Sequence, residues 1–591
     1  MKISGSELLI KALKAEKVSH LFGYPGGVVI PVFDVLYSTP EIHLVLTRHE
    51  QAAVHAADGY ARSTGKTGVC LVTSGPGATN TVTGLATANF DSVPLVCFTG
   101  QVPRNMIGND AFQEADTVGI TRPVTKHNYL VQDRSKLGRI IKEAFTLASS
   151  GRPGPVVVDL PKDVLLEKGD DVYPSSVTIR GYNPVTRGHN GQIHRAAEIL
   201  SRAQRPLFYA GGGIHIAGAA EIFRQLVART GVPSVCSLMG VGALPSRNPL
   251  NLGMLGMHGT YPANMAVTHC DLLFAVGTRF DDRATGDLAK FAPEARIVHI
   301  DIDPAAIARN VAVEIPIVGD ARLVLEQVFP LVQPPSILPW LERIEGWRRE
   351  HPLEPGAASP GLAPERIIQV IGEVFPEAII STEVGQNQMW TALFYNFQRT
   401  RTLLTSGGLG TMGYGFPAAI GAQVANPRAT VIDIAGDGSI QMNIQELATA
   451  VQERLPVIVA ILNNGYLGMV RQWQELFFHR HYSSTCLRRQ AGCPPGCSSP
   501  PGDSSSPGGT VPGATCPIYI PDFVKLAEAY GAVGLRVSRM EEVKPALLEA
   551  GKTRDRPVLI DFLIQREANV WPIVPSGAGL SEMMFAPGGS P

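Results

Sequence analysis

The sequence lacks an apolar run of membrane-spanning length, and it lacks an excess of charge of either sign. Its 51 Lys and Arg residues are balanced by 52 Asp and Glu residues, which leaves a net charge of −1 at pH 7. A balanced chain gives no electrostatic reason to bind nucleic acid or an anionic membrane. The opening MKISGSELL does not have the pattern of a secretory leader, because Ser4 and Glu7 form a helix-capping box instead. We therefore expect a cytoplasmic protein with no nucleic-acid or membrane partner.

Cysteine is also scarce, with eight residues in the whole chain. Four lie singly in apolar, strand-like runs and are expected to be buried thiols: Cys70, Cys97, Cys236 and Cys270. The other four fall between about 486 and 518: Cys486, Cys493, Cys497 and Cys516. That stretch is crowded with Pro, Gly and Ser, has too few large apolar residues for a core, and lacks the paired CxxC spacing of most zinc sites. It predicts a flexible surface insertion.

Along most of the chain, short apolar runs rich in β-branched residues alternate with helical stretches. A chain of 591 residues is too long for one core. The alternation predicts an α/β fold of three doubly wound domains with mainly parallel sheets. We place these domains at 1–170, 190–335 and 365–570, with the insertion inside the third. A loosely patterned stretch at 165–190 and the Pro-rich stretch from VQPPSILPW to LAPER are the expected linkers.

The segment GDGSIQMNIQELATAVQERLPVIVAILNN, residues 436–464, carries polar residues after each of two apolar runs. Asn443 is a candidate helix cap, so the segment reads as strand, helix and parallel strand. Asp437 and Asn464 would then lie at the same edge of one sheet, where open α/β sheets bind ligands. A carboxylate and an amide oxygen, with the Tyr466 carbonyl, suit Mg²⁺, and the glycines allow a phosphate to approach. Polar caps on two loops are the alternative.

A glutamate near the N-terminus lies in a similar position. Glu50 follows an apolar run and opens a helix of small residues in LVLTRHEQAAVHAADGYARSTG. The helix dipole alone favours a carboxylate there, which is the structural interpretation. Because Glu50 also follows a predicted strand end, a functional role in the same kind of crevice is equally open.

Further stretches follow one another along nearly the whole chain: FGYPGG, RHEQAAVHAADGYAR, TSGPGATN, AFQEAD, GMLGMHGTYPANMAV, GTRFDDR, SGGLGTMGYGFPAAIGA, GMVRQWQELFF and PDFVKLAEAYG. Together with the GDG-to-NN spacing, they resemble the thiamine-diphosphate-dependent enzymes, and within them the large catalytic subunits of acetolactate synthase (acetohydroxyacid synthase). So many ordered matches make the resemblance specific.

The resemblance implies three cofactors (thiamine diphosphate, Mg²⁺ and FAD) and three domains, which are pyrimidine-binding, central FAD-associated and diphosphate-binding in chain order. It implies a catalytic role for Glu50 at the aminopyrimidine ring and metal ligation by Asp437, Asn464 and Tyr466. The implied thiamine pocket comprises Val384, Gln386, Met412, Gly436, Gly438, Ser439 and Met469. The implied FAD site comprises Arg152, His258, Arg279, Asp301 and Asp320. The implied substrate channel comprises Phe112, Gln113, Met257, Arg283 and Trp473.

The implied activity is the synthesis of acetolactate. Pyruvate loses CO₂, and its hydroxyethyl (acetaldehyde) unit passes to a second pyruvate or to 2-oxobutyrate, giving 2-acetolactate or 2-aceto-2-hydroxybutyrate. These are early intermediates of branched-chain amino acid synthesis. The flavin is expected to be structural or vestigial, because the reaction has no net redox change. The resemblance also implies a homodimer or homotetramer, and it leaves a small regulatory subunit open.

Other functions were weighed against this one. The nearest is another thiamine-diphosphate carboligase or decarboxylase, acting on glyoxylate or sulfoacetaldehyde, against which GMVRQWQ and AFQEAD argue. The stretch YAGGGIHIAG suggests a flavin- or nicotinamide-dependent oxidoreductase, but Ile216 stands where the third glycine of that fingerprint belongs. A non-catalytic relative is disfavoured by the intact Glu50, Asp437 and Asn464.

Three features depart from the family pattern. Asn387 replaces a frequent histidine, so one diphosphate contact is expected to differ in detail. Val28 replaces a frequent alanine near the cofactor entry. The Cys-containing insertion has no counterpart, and it follows the helix that carries Trp473.

Overall fold

The computed structural model describes residues 2–355, 361–488 and 520–586, and it contains three six-stranded sheets in chain order. Every strand pair within these three sheets is parallel. Parallel strands need crossover connections, and helices supply most of them here. The predicted α/β class with three parallel-sheet domains is confirmed.

The first sheet has the strand order β3–β2–β4–β5–β7–β6, and a small antiparallel pair joins β1 to β8. The six strands of the sheet are β2 (His20–Gly23), β3 (His43–Leu46), β4 (Gly68–Val72), β5 (Leu95–Gln101), β6 (His127–Leu130) and β7 (Pro155–Pro161), and the pair consists of β1 (Lys2–Ser4) and β8 (Lys168–Asp170). Its helices are α1 (Gly5–Ala15), α2 (Ile30–Tyr37), α3 (Glu50–Thr64), α4 (Pro76–Thr79), α5 (Val82–Phe90), α6 (Thr117–Thr121), α7 (Leu137–Ser149) and α8 (Lys162–Leu166). The predicted Ser4–Glu7 capping box is present at the start of α1.

The second sheet has the order β11–β10–β9–β12–β13–β14. Its strands are β9 (Pro206–Ala210), β10 (Ser234–Cys236), β11 (Asn251–Met254), β12 (Leu272–Val276), β13 (Arg296–Asp301) and β14 (Ile315–Val318). Its helices are α9 (Asn190–Arg202), α10 (Gly213–Ile216), α11 (Ala220–Thr230), α12 (Tyr261–His269), α13 (Asp282–Thr285), α14 (Ala321–Val328) and α15 (Leu338–Glu350).

The third sheet has the order β16–β15–β17–β18–β20–β19. Its strands are β15 (Ile379–Thr382), β16 (Leu403–Leu404), β17 (Val431–Gly436), β18 (Ile458–Asn463), β19 (Val533–Val537) and β20 (Val558–Leu563). Its helices are α16 (Pro364–Val374), α17 (Gln386–Phe394), α18 (Gly415–Ala425), α19 (Leu447–Gln452), α20 (Gly468–Phe477), α21 (Phe523–Tyr530) and α22 (Met540–Ala550).

The first and third sheets are joined by close packing of α3 against α18. A Cβ atom on Gly59 would lie 2.1 Å from the Ala418 carbonyl oxygen, and one on Gly421 would lie 1.8 Å from that of Ala56. Both distances are shorter than any van der Waals contact, so only glycine allows the two helices to approach so closely. The contact orients Glu50 at the start of α3 relative to the loop that precedes α18.

One helix differs from its prediction. Instead of beginning after Asn443, the α-helix begins at Leu447, and two 3₁₀ turns precede it at Ile440–Met442 and Ile444–Glu446. Asn443 makes no cap hydrogen bond, so the predicted cap is wrong. Its buried Nδ2 donates instead to the Gly413 carbonyl at 2.6 Å, so a contact distant in sequence replaces the local one.

Five of the eight cysteines lie within the described residues, whereas most of the predicted insertion does not. Cys70, Cys97, Cys236 and Cys270 are buried free thiols, as predicted, and Cys486 is half-buried. The predicted insertion at about 486–518 lies outside the described residues except for 486–488. No helix within the described ranges is long and apolar enough to cross a membrane.

Candidate active site

The ends of β17 and β18 bring the predicted metal-binding residues to one sheet edge. The two strands are parallel neighbours, with Gly436 paired to Leu462. Asp437 and Asn464 follow directly and are almost fully buried, with 1% and 4% exposure. Both line a small cavity of about 70 Å³, to which other predicted residues contribute: Val384, Gln386, Met412, Gly436, Gly438, Ser439, Tyr466 and Met469.

The oxygen atoms around this small cavity are of the kind that bind Mg²⁺. Asp437 Oδ2 accepts a hydrogen bond from Gly465 N at 3.2 Å, and Asn464 Oδ1 accepts one from Tyr466 N at 2.9 Å. Burial raises the pKa of Asp437 to about 7, so the site favours a positive charge beside the carboxylate. No three His, Cys, Asp or Glu side chains within the described ranges form a metal-binding group. A metal here would therefore need amide and carbonyl oxygens as well, which fits magnesium.

Asn387, which departs from the pattern implied by the sequence resemblance, also lines the small cavity. Its Nδ2 donates to the carbonyl oxygens of Glu383 at 3.1 Å and Ile434 at 2.7 Å. The amide donors therefore tie the end of β15 to the end of β17. A histidine at this position would have a different set of donors.

A much larger cavity of about 790 Å³ adjoins the small one. Val384, Met412 and Met469 line both cavities and form the wall between them. The five predicted FAD residues line the large cavity: Arg152, His258, Arg279, Asp301 and Asp320. Three predicted substrate residues line it as well: Met257, Arg283 and Trp473.

The charges around the large cavity suit a dinucleotide. Arg152 and Arg279 supply guanidinium groups for phosphates, and Asp301 and Asp320 supply acceptors for hydroxyl groups. Burial raises the pKa of Asp301 to about 6, although Arg152 opposes the shift. Burial also lowers the pKa of His258 to about 4, so this histidine is neutral near pH 7. The size and donor chemistry of the cavity therefore fit FAD.

The glycines of YAGGGIHIAG pack backbone against backbone. A Cβ on Gly211 would lie 2.1 Å from Gly277 O, and one on Gly213 would lie 2.6 Å from Gly277 Cα. The helix that follows, α10, has only four residues. The glycine run is therefore explained by the close approach of β9 and β12 without a nicotinamide fingerprint.

The loop that carries Met412 is held by groups that the sequence analysis missed. The buried carboxylate of Glu383 accepts hydrogen bonds from Gly413 N at 2.6 Å and Phe416 N at 3.2 Å. Asp433 lies beside it, and burial raises the pKa of both carboxyl groups. From the N-terminal domain, Asp91 accepts hydrogen bonds from the backbone of residues 407 and 408. Glu383 directly follows β15, and this strand-end position is the signal that would have identified it, whereas Asp433 lies inside β17 and Asp91 follows α5.

Glu50 lies in a different place from the two cavities. It begins α3, and its Oε2 accepts a hydrogen bond from Asn80 Nδ2 at 3.0 Å. A Cβ on Gly77 would lie 3.5 Å from Glu50 Oε1. Beside it, the hydroxyl oxygens of Thr73 and Ser74 are buried without a partner among the described residues. Such orphaned polar groups mark a place where a polar ligand ring would supply hydrogen bonds.

The remaining two predicted substrate residues, Phe112 and Gln113, lie near the loop that also contacts Glu50. Gln113 lies against Gly75, whose Cβ would be 2.8 Å from Gln113 O, while Phe112 is 88% exposed. Neither residue, nor Glu50, is part of the described lining of the small or the large cavity. Among the described residues, the group around Glu50 and the group around Asp437 are thus separate, and we call them the Glu50 half-site and the Asp437 half-site.

A buried acid fixes the loop that carries Phe112 and Gln113. Asp159 in β7 accepts hydrogen bonds from Thr99 Oγ1 at 2.6 Å and from Gln101 Nε2 at 2.9 Å. The same Gln101 amide donates to the Ala115 carbonyl at 2.8 Å, at the end of the loop. Burial raises the pKa of Asp159 to about 7, and Asp116 nearby adds to the shift.

Asp159→Asn is expected to change how stability depends on pH. Because the folded pKa is about 7 and the unfolded one is near 3.8, the folded chain binds the extra proton between these values. The stability that this proton contributes is fully present below pH 3.8 and falls as the pH rises towards the folded pKa of about 7. Well above that pKa the contribution is zero. Relative to the variant, the wild type should therefore lose about 1.4 kcal/mol between pH 6 and pH 8. Melting temperatures of both proteins at pH 6, 7 and 8 measure this, and a pH-independent difference would contradict it.

Comparisons with known proteins show similarity along nearly the whole chain. Three family models match in chain order: a thiamine pyrophosphate enzyme N-terminal TPP binding domain at 3–120, a central domain at 193–328 and a C-terminal TPP binding domain at 383–562. The acetolactate synthase isozyme 3 large subunit of Escherichia coli (strain K12) is 47% identical over 99% of both chains. The acetolactate synthase large subunit of Corynebacterium glutamicum is 46% identical over 99% of this chain and 91% of its own. That of Haemophilus influenzae is 43% identical over 99% and 98%, respectively.

Proposed function

Because the chain belongs to the thiamine pyrophosphate enzymes, and within them to the acetolactate synthase large subunits, we propose that it joins two 2-oxo acids with loss of CO₂. Pyruvate is the donor, and pyruvate or 2-oxobutyrate is the acceptor. The products are 2-acetolactate and 2-aceto-2-hydroxybutyrate, which serve the synthesis of branched-chain amino acids. The observation that carries the proposal is the adjacency of a magnesium-type site to a large cavity that Met257, Arg283 and Trp473 line.

The proposed cofactors are thiamine diphosphate, Mg²⁺ and FAD. Thiamine diphosphate, when bound, supplies the electron sink that allows a 2-oxo acid to lose CO₂. Asp437, Asn464 and the Tyr466 carbonyl would hold Mg²⁺, and Gly436, Gly438, Ser439 and Gln386 would border the diphosphate. Arg152, His258, Arg279, Asp301 and Asp320 would hold FAD in a structural role.

Glu50 is the proposed proton-transferring residue. Asn80 Nδ2 donates to its Oε2, so Oε1 beside Gly77 would be the atom that gives and takes a proton when the aminopyrimidine ring of the cofactor is bound. On the other half-site, Met412 belongs to a loop that Glu383 and Asp91 hold by hydrogen bonds, so it would offer a fixed apolar surface to the bound cofactor. Burial of Asp437 and Asn464 excludes water around the diphosphate.

A homodimer is the proposed minimum active unit. The Glu50 half-site and the Asp437 half-site of one chain do not share a cavity among the described residues, so each needs a complement from another copy. A tetramer would contain the same pairs. The relatives are named large subunits, which supports a smaller partner chain as well.

Trp473 is the proposed acceptor-selecting residue. Its ring lines the large cavity and packs on Phe477 with centroids 5.3 Å apart. Trp473→Leu is expected to lower the preference for 2-oxobutyrate over pyruvate about fourfold, because contact with one extra carbon is worth roughly 0.8 kcal/mol. The product ratio in a competition assay measures this. Phe477→Leu is the matched control, since Phe477 does not line that cavity; equal ratios in both variants would argue against the role.

The decisive experiment is product analysis with the purified protein. Acetolactate should form from pyruvate only when thiamine diphosphate and Mg²⁺ are present, and added FAD should raise thermal stability. Parallel reactions with glyoxylate and sulfoacetaldehyde test the nearest alternatives. Turnover of either compound without acetolactate formation from pyruvate would overturn the proposal.

A further inference from the structure

A chain of buried amide groups connects the small cavity to the C-terminal segment, which is defined here as residues 565–586. Asn464 Nδ2 donates to Gln386 Oε1 at 3.4 Å. Gln386 Nε2 donates to the Ala568 carbonyl at 2.8 Å and to Gln472 Oε1 at 2.9 Å. Gln472, in α20, is completely buried. The candidate metal site is thus two hydrogen bonds away from Gln472.

Gln472 binds the C-terminal segment as a neighbouring strand would. Its Nε2 donates to the Val570 carbonyl at 2.9 Å, and its Oε1 accepts from Val570 N at 2.9 Å. The side-chain amide therefore copies the paired geometry of a peptide group. With the bond from Gln386, the Gln472 side chain makes three hydrogen bonds, and no substitution by another residue reproduces all three.

Beyond Val570, the C-terminal segment reaches the wall that the central domain contributes to the large cavity. Val574 N donates to the Met257 carbonyl at 2.7 Å, and Met257 N donates to the Arg283 carbonyl at 2.8 Å. The Pro572 carbonyl lies 3.4 Å from His258 Nδ1. Val570, Ile573 and Val574 are buried, so this part of the segment is packed along its length.

The connected groups surround the proposed acceptor site. Trp473, next to Gln472 in sequence, lines the large cavity from α20. Met257 and Arg283 line it from the central domain, and both are held through Val574. The hydrogen bonds of Gln472 therefore fix the distance between the wall that carries Trp473 and the wall that carries Met257.

We propose that Gln472 is a positioning residue that sets the fit of the second 2-oxo acid by anchoring the C-terminal segment between these two walls. This inference rests on the proposed function. Gln472 does not touch the substrate; it acts through Val570 and Val574 on Met257. If its anchoring is lost, the walls separate, and contact with the extra methyl group of 2-oxobutyrate weakens more than contact with pyruvate.

The test compares two variants with a matched control. Gln472→Met keeps the length of the side chain and removes all three hydrogen bonds. Gln472→Glu keeps the two acceptor bonds and loses only the donation to Val570. Gln474→Met is the control on the same helix, because Gln474 contacts Ser483 and Thr485 rather than the C-terminal segment. All are measured as the full-length protein with thiamine diphosphate, Mg²⁺ and FAD.

Two measurements distinguish a positioning role of Gln472 from a general effect on the stability of the protein. Amide hydrogen exchange in residues 570–574 should accelerate about tenfold in Gln472→Met and not in Gln474→Met. The preference for 2-oxobutyrate over pyruvate should fall about two- to fivefold in Gln472→Met and less in Gln472→Glu. If Gln472→Met does not fold, the Gln472→Glu comparison decides alone. A product ratio equal to that of the control would overturn the proposal. Absence of acetolactate from the wild type would instead overturn the proposed function.

Discussion

Glu50→Gln is expected to lower turnover about a hundredfold or more, which is the scale for loss of a general acid–base group. Glutamine keeps the size of the side chain and can still accept the hydrogen bond from Asn80 Nδ2. An amide cannot give and take a proton at the aminopyrimidine nitrogen, so only the proton exchange is removed. Folding and Mg²⁺-dependent binding of thiamine diphosphate should persist, because Asp437 and Asn464 belong to the other half-site. Steady-state acetolactate formation and a binding titration measure the two effects separately.

The structural interpretation of Glu50 predicts a different result. Glu50 lies in the first turn of α3, after the cap formed by His49. If it only complements the helix dipole, the substitution should cost a few tenths to about one kcal/mol of stability and leave turnover nearly intact. Glu7→Gln is the matched control, because Glu7 lies in the first turn of α1 and has no part in either half-site. Near-normal turnover in a well-folded Glu50→Gln protein would refute the catalytic role.

The parts of the fold that follow from local pattern were predictable. The apolar runs around residues 431–436 and 458–463 are short and rich in β-branched residues, and they form neighbouring parallel strands. Because parallel strands end at the same edge, the spacing of Asp437 and Asn464 was enough to bring them together. The Ser4–Glu7 box depends on residues three apart, so it too was visible in the sequence.

Features that depend on distant contacts were not predictable. Asn443 has the chemistry of a helix cap, but the Gly413 carbonyl, thirty residues away, takes its donor. Glu383 and Asp433 read as ordinary polar residues near strand ends, whereas in the fold they are a buried acid pair under the Met412 loop. Sequence spacing carries no information about either contact. The separation of Glu50 from the two cavities is likewise a property of domain packing.

Asp437→Asn is expected to weaken Mg²⁺-dependent binding of thiamine diphosphate about a hundredfold. Removal of second-sphere groups already costs 10- to 100-fold in metal affinity, and Asp437 is the proposed charged ligand itself. The asparagine can still accept the hydrogen bond from Gly465 N, so the loop geometry is retained. With cofactor at about 100 times the wild-type Kd, ligand stabilisation should fall from about 2.7 to about 0.4 kcal/mol. Melting temperatures with and without Mg²⁺ and thiamine diphosphate measure this loss.

Without cofactor, the same Asp437→Asn substitution should not lower the melting temperature. Burial raises the pKa of Asp437 to about 7, so at pH 8 the wild type keeps an ionised carboxylate in a buried site at a cost in stability. Asparagine removes that charge, and the cofactor-free variant should melt at or above the wild-type temperature at pH 8. Asp433→Asn is the matched control inside β17, the strand that Asp437 directly follows, since Asp433 does not line the small cavity within the described residues, and it should keep the Mg²⁺ response. A lower melting temperature of cofactor-free Asp437→Asn, with the Mg²⁺ response intact, would mean that Asp437 stabilises the loop and binds no metal.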